Sequence, residues 1–181
     1  MGAVSPDRLA PLIGPERYDA FRSLARQMAE RLRGRTVWNV SSTAVGGGVA
    51  EMLKMLVAYT AGVGVRTQWL VVEGDPAFFV ITKRIHNQLH GVAGDAGPLG
   101  SAERAHYQSV LTANLPQLLE VIRSGDVVIL HDPQTAGLAA ALARHGARVI
   151  WRCHVGSDIT NEYTDRITSS SWGRFAVSTD W

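Results

Sequence analysis

The sequence predicts a three-layer α/β domain built on a parallel sheet. Three observations point there. Short apolar runs alternate with segments of helical period, turns rich in Gly and Pro separate them, and polar residues collect at the carboxyl ends of the apolar runs. Strands joined through helices in this way are parallel, with right-handed crossovers. At 181 residues and 46% hydrophobic, the chain has enough apolar material for a core and lies far from a disordered composition.

Residues 1–15 carry Pro6, Pro11, Gly14 and Pro15 and read as an extended lead-in. Pro15 suits the first position of a helix over 16–32, with Tyr18, Phe21, Leu24, Ala25, Met28 and Leu32 on one face and Gly34 ending it. The first strand is 36–40. The first crossover helix is 49–61, where Val49, Met52, Leu53, Leu56, Val57 and Thr60 recur at helical spacing. A second strand, 65–73, ends at Gly74-Asp75-Pro76, and a helix follows over 77–89. After a breaker stretch from Gly91 to Gly100 comes a helix over 102–123, with Pro116 as the place for a kink. A strand over 126–130, a helix over 135–144 and a strand over 148–153 complete the pattern, and no internal repeat is present. The chain divides into an amino-terminal extension and helix (1–35), the sheet domain (36–165) and an atypical tail (166–181).

In such sheets, ligands bind beyond the carboxyl ends of the strands. Four successive strand ends carry polar groups: Ser41 and Ser42 with Gly46–Gly48, then Glu73 and Asp75, then His131, Asp132 and Gln134, then His154 to Asp158. The three glycines permit positive φ and bring bare N–H groups close to a ligand, and the helix behind them points its positive end the same way. A phosphate, a sugar hydroxyl or a carboxylate fits there, and close helix–sheet packing is the purely structural alternative. The dinucleotide fingerprint fails at its third glycine, where Glu51 stands, although Glu73 lies where an acid would hold a ribose. No Gly-Lys-Ser/Thr follows the glycines and no Gly-x-Ser-x-Gly occurs, so neither a Walker A loop nor a hydrolase nucleophile is signalled.

Asp132 reads equally as a helix cap and as a ligand contact, with Pro133 in the first turn. His131 follows four apolar residues and either faces the cleft or is satisfied inside it. His154, before a Gly and a polar turn, reads as functional. Cys153 reads as a small core hydrophobe, and Trp38, Trp69 and Trp151 as core residues within strands. The basic run Lys83-Arg84-Ile85-His86-Asn87 is read as one side of a helix, either a solvated face or an anion or sugar contact. No compact His/Glu metal spacing exists, and no cofactor is called for. A net charge of +2 provides no nucleic-acid surface, and no apolar run is long enough to span a membrane. With a single cysteine and no secretion signal, the cytoplasm is the expected setting.

Four stretches, VWNVSSTAVGGGVAEML, VVEGDPAFFVITKRIHNQLHG, DVVILHDPQTAGL and WRCHVGSD, together resemble the amino-terminal half of the retaining two-Rossmann-domain (GT-B) glycosyltransferases of family 4, in the trehalose synthase branch. The resemblance covers roughly residues 36–165. It implies a Rossmann-like acceptor-side domain of an enzyme that joins glucose from a nucleotide-glucose donor to free glucose, making trehalose with retention. By motif, Gly47 and Gly48 would approach the donor phosphates or sugar. His154 would be the catalytic histidine at the donor sugar, His131, Asp132 and Lys83 would help form the acceptor pocket, and Asp158 would join the substrate contacts. With no carboxylate pair, a front-face substitution driven by positioning replaces the two-carboxylate mechanism.

The tail from Ile167 onward does not read like the helix expected next, and the second Rossmann domain is not in this sequence. The expectation is a truncated or isolated half, poorly active alone, whose partner is a missing carboxy-terminal domain or a second copy of itself. A non-catalytic sugar- or nucleotide-binding module is the alternative, and a nicotinamide-dependent oxidoreductase a weaker third.

Overall fold

The computed structural model describes residues 2–173. A 3-10 turn at Pro6–Leu9 leads into α1 (Ala10–Ile13) and α2 (Pro15–Arg31), then β1 (Val37–Ser41), α3 (Gly48–Gly62) and β2 (Thr67–Val71). Next come α4 (Pro76–Leu89), α5 (Ser101–Val121), β3 (Val127–His131), α6 (Asp132–Ala136), α7 (Ala139–Arg144), β4 (Arg148–Arg152) and α8 (Glu162–Ser169). The four strands form one parallel sheet in the order β2-β1-β3-β4, flanked by helices, as the α/β pattern requires. The chain leaves β1 toward one edge and later returns to pair β3 on its other side. Right-handed crossovers therefore place the two sets of helices on opposite faces, and the order reverses between β1 and β3.

The core lies against the central strands. Val40, Val128 and Leu130 are fully buried, and Phe78, Ile81 and Ile85 of α4 with Tyr107 and Leu111 of α5 close over them. Phe78 stacks on Tyr107 with centroids 5.6 Å apart, and Trp172 meets Tyr107 edge-on at 5.4 Å.

Several sequence expectations need correction. The lead-in is coiled, not extended: Ser5 caps the first turn, and Val4 N–H donates to Ala58 O of α3 at 3.0 Å. That contact requires Gly62, where a Cβ would sit 1.8 Å from Val4 O. The second strand is shorter than 65–73, and the first is shifted by one residue. The helix expected over 135–144 is two short helices. The Tyr107 hydroxyl donates to Pro133 O at 2.7 Å and accepts from Gly137 N–H at 2.9 Å, so it occupies the rung that would have joined those two groups. A Cβ at Gly137 would press on Tyr107 and Leu111 at 2.8 Å. Helix α5 runs on through Pro116. The division drawn at 165/166 falls inside α8, and Ile167 and Trp172 join the core, so the first part of the tail is helical and packed. Residues 174–181 of that tail lie outside the described residues.

The three strand tryptophans, read as core, are only partly buried, and each indole N–H holds a turn. Trp38 donates to Asp126 Oδ2 (2.9 Å), Trp69 to Ser41 Oγ (2.8 Å) and Trp151 to Asp132 O (3.0 Å). The basic run is not one face either. Ile85 points into the core, and Arg84 turns to Asp95 at 2.9 Å and Pro98 O at 3.1 Å, ordering the breaker stretch.

Candidate functional site

A cleft of about 400 Å³ opens beyond the carboxyl ends of β1 and β3, where the strand order reverses. One wall is the turn between β1 and α3. Ser41 Oγ donates to Thr43 O at 3.1 Å while accepting from Trp69, and Thr43 Oγ1 donates to Val45 O, so the turn is braced before it reaches the glycines. Gly46 (φ 74°) and Gly47 (φ 82°) occupy the left-handed region that side chains avoid. Gly48 does not, and a Cβ there would meet nothing within 4 Å. The fold itself therefore leaves the space over Gly48 open. Helix α3 begins at Gly48 with no side-chain cap, so its first N–H groups and positive end face the cleft.

The opposite wall comes from the ends of β3 and β4. His131 is 1% exposed. Its Nδ1 lies 3.0 Å from His154 Nε2 and its Nε2 3.2 Å from Asn39 Oδ1, and the two imidazole planes are 15° apart. Burial, and then the neighbouring His154 and Arg152, push the His131 pKa down to about 4, so this ring is neutral at physiological pH. Asp132 has φ 63°, unusual outside glycine, and does not cap α6. Its carboxylate instead accepts the backbone N–H of His154 at 2.7 Å, and its carbonyl accepts from Trp151, which clamps the end of β4 against the end of β3. The capping half of the Asp132 reading is thereby replaced by a strand-end clamp.

Gly47, Gly48, His131, Asp132 and His154 thus come together, as the strand-end reasoning anticipated. Lys83 and Asp158 are exposed and stand outside the cleft lining. From the same helix as Lys83 it is His86 that lines the cleft, its pKa lowered by burial and then by Lys83 and His90. Cys153 Sγ donates to Val155 O at 3.1 Å and burial raises its pKa, which disfavours the thiolate. Glu73 also lies outside the lining, in a separate hollow with Asn114 and Gln117 of α5, and Glu51 pairs with Lys54 at 2.7 Å. Neither acid is placed to hold a ribose in this cleft.

Asn39 escaped the sequence reading, while His86 and Gln134 were named there only within longer runs and given no role of their own. Asn39 sits inside a strand, where a polar residue announces itself only if the strand is known to be buried on both faces. His86 lies at the cleft end of α4. Gln134 lines the cleft with a buried Oε1 that has no hydrogen-bond partner, an acceptor left open among satisfied neighbours. Among the described residues, no three His, Cys, Asp or Glu side chains converge to hold a metal ion, and no helix is long and apolar enough to cross a membrane.

Fold and cleft define a Rossmann-like α/β domain whose polar site lies at the switch point of a parallel sheet. Residues 39–173 match the family described as the N-terminal domain of trehalose synthase, and the chain belongs to that family. It is 36% identical over 139 residues to a trehalose synthase of Rubrobacter xylanophilus, covering 75% of this chain and 32% of that protein. It is likewise 36% identical over 133 residues to a trehalose synthase of Pyrococcus horikoshii, covering 74% and 31%. A trehalose phosphorylase of Pleurotus pulmonarius is 33% identical over 150 residues, covering 79% and 20%. The chain therefore spans about a third of the length of the trehalose synthases it matches.

Proposed function

We propose that this domain is the acceptor-side wall of a retaining glucosyltransferase cleft that joins glucose from a nucleotide-glucose donor to free glucose, forming trehalose. The carrying observation is the apposition, across one cleft, of an uncapped glycine-started helix and the His131–His154 pair. A sugar is uncharged and hydroxylated, so it needs converging donors and acceptors more than charge. The cleft offers both: backbone N–H groups on the Gly47–Gly48 side, and the His154 imidazole on the other.

In this reading the donor phosphates or sugar approach Gly47 and Gly48, and His154 meets the donor sugar beside the breaking bond. Asp132 acts through the backbone of His154 and His131 from beneath it, with Lys83 and Asp158 contributing at the rim. Among the described residues no pair of carboxylates lines the cleft, so the chemistry rests on a front-face substitution. The departing phosphate takes the acceptor hydroxyl proton while the protein positions both sugars. A carboxy-terminal domain is the partner that grips the nucleotide and diphosphate, and a reducing cytoplasm suits the lone Cys153. Without that partner the domain transfers glucose poorly.

Calorimetric titration with glucose, trehalose, a nucleotide-glucose and NAD tests the reading. Weak sugar binding is expected, strengthened for nucleotide-glucose only when a carboxy-terminal domain of a relative is supplied. Tight NAD binding with no response to any sugar would overturn it. In a reconstituted two-domain enzyme, His154→Ala is expected to lower kcat at least tenfold, and unchanged turnover would remove the role given to His154.

A further inference from the structure

Beneath the cleft runs a chain of hydrogen bonds whose direction is set at its far end. The carbonyl of Val37 can only accept, so the Thr67 hydroxyl 3.2 Å away donates to it. Thr67 Oγ1 is then left as acceptor for Asn39 Nδ2 at 3.3 Å, and Gln68 O at 3.5 Å, also an obligate acceptor, faces the same amide nitrogen. The Asn39 amide is thereby oriented with Oδ1 toward His131, which donates to it from Nε2 at 3.2 Å. A neutral imidazole carries one proton, so His131 Nδ1 is a bare acceptor, and the proton in the 3.0 Å contact to His154 belongs to His154 Nε2. Asn39, Thr67 and His131 are all buried, so no solvent competes for these bonds.

We propose that Asn39 and His131 are positioning residues that hold a proton of His154 on Nε2, so that in the neutral ring Nδ1 is the hydrogen-bond acceptor left for a sugar hydroxyl. The last clause rests on the sugar reading above, whereas the tautomer follows from the protein alone. The consequence is a division of labour across the cleft. A bare nitrogen accepts from a hydroxyl and repels oxygens that can only accept, such as those of a diphosphate. The glycine-started helix does the reverse, offering N–H donors and positive potential. A neutral acceptor also leaves undisturbed the positive charge that develops on a glucosyl carbon as its bond to phosphate breaks.

Nuclear magnetic resonance of the 181-residue chain labelled with 15N-histidine reads each ring directly. At about pH 8, where free imidazoles are neutral, long-range proton–nitrogen correlations should place the proton on Nε2 of both His131 and His154. A scalar coupling should join His131 Nδ1 to His154 Nε2 through the shared proton. In Asn39→Asp the new carboxylate should draw a second proton onto His131, and His154 should switch to the Nδ1–H form to accept it. A merely structural role for Asn39 predicts no such switch. Wild-type His154 protonated on Nδ1, or a doubly protonated His131 in Asn39→Asp beside an unswitched His154, overturns the proposal. Should Asn39→Asp not fold, the wild-type spectrum decides alone. Adding trehalose separates the two claims: His154 Nδ1 should shift with its tautomer kept. A correct tautomer with no response to trehalose or glucose tells against the sugar reading and leaves the positioning role standing.

Discussion

The two ends of the sheet carry buried polar groups of opposite design. At the amino-terminal end, Asp126 is 5% exposed and every bond closes within the protein. Its Oδ1 accepts from Thr36 N–H at 2.8 Å, and its Oδ2 from Trp38 Nε1 at 2.9 Å and Arg123 N–H at 3.0 Å. At the carboxyl end, polar groups are only half closed. The His131–His154 chain ends on a ring that lines the cleft, Gln134 Oε1 has no partner, and α3 starts without a side-chain cap. A saturated network ties elements together, while an open one leaves donors and acceptors for something else to complete. The contrast separates stability from binding within a single sheet.

The largest effect should come from breaking the closed end. Asp126→Ala leaves one buried and two part-buried donors without an acceptor and should cost about 2–4 kcal/mol in urea unfolding, while protein that remains folded keeps its ligand response. A loss below about 1 kcal/mol would mean that water replaces the carboxylate at little cost.

Acid should distinguish the ends next, because they titrate in separate windows. His131 has a folded pKa of about 4 against an ordinary 6.5. The unfolded chain therefore binds the extra proton between those values, and the stabilisation is complete above 6.5 and lost as pH falls toward 4. By that linkage the loss approaches roughly 3 kcal/mol. For Asp126, burial pushes the pKa up, but the hydrogen bonds from Thr36, Arg123 and Trp38 outweigh it and the folded value lies below the ordinary 3.8. Its contribution is present above 3.8 and disappears only as pH falls through the lower folded value. Stability measured against pH in His131→Gln should lose most of the upper slope, His86 keeping a share of it, and retain the lower one.

Smaller effects should come from the glycine turn. Gly47→Ala forces a side chain into φ 82° and should cost about 1–2 kcal/mol. Gly48→Ala meets no atom and no left-handed strain, so it should be neutral or stabilise the helix start by a few tenths to about 1 kcal/mol. It should nonetheless weaken ligand binding, because its methyl would point into the cleft space. Thermal unfolding beside calorimetric titration of both variants checks this. Equal loss of binding and of stability in Gly48→Ala would assign that glycine to packing.

Much of this arrangement was legible beforehand. Alternating strand and helix patterns located all four strands, and the polar strand ends marked Gly47, Gly48, His131, Asp132 and His154 as neighbours. Lys83 and Asp158 were less readable, because their neighbours in sequence line or approach the cleft while they stand outside it. Asn39 was silent, since a lone polar residue inside a strand carries no period and no motif. The break in the helix after β3 could not be read locally either, because a hydroxyl 30 positions away in sequence causes it.

The sequence alone determined the element types, the parallel sheet and the gathering of polar residues at its carboxyl edge, because side-chain period, turn chemistry and crossover handedness are local constraints. Only the tertiary structure decided which polar groups are closed and which stay open. Hydrogen-bond direction passes from strand to strand, from Val37 through Thr67 and Asn39 to His131 and His154, and no single segment contains it.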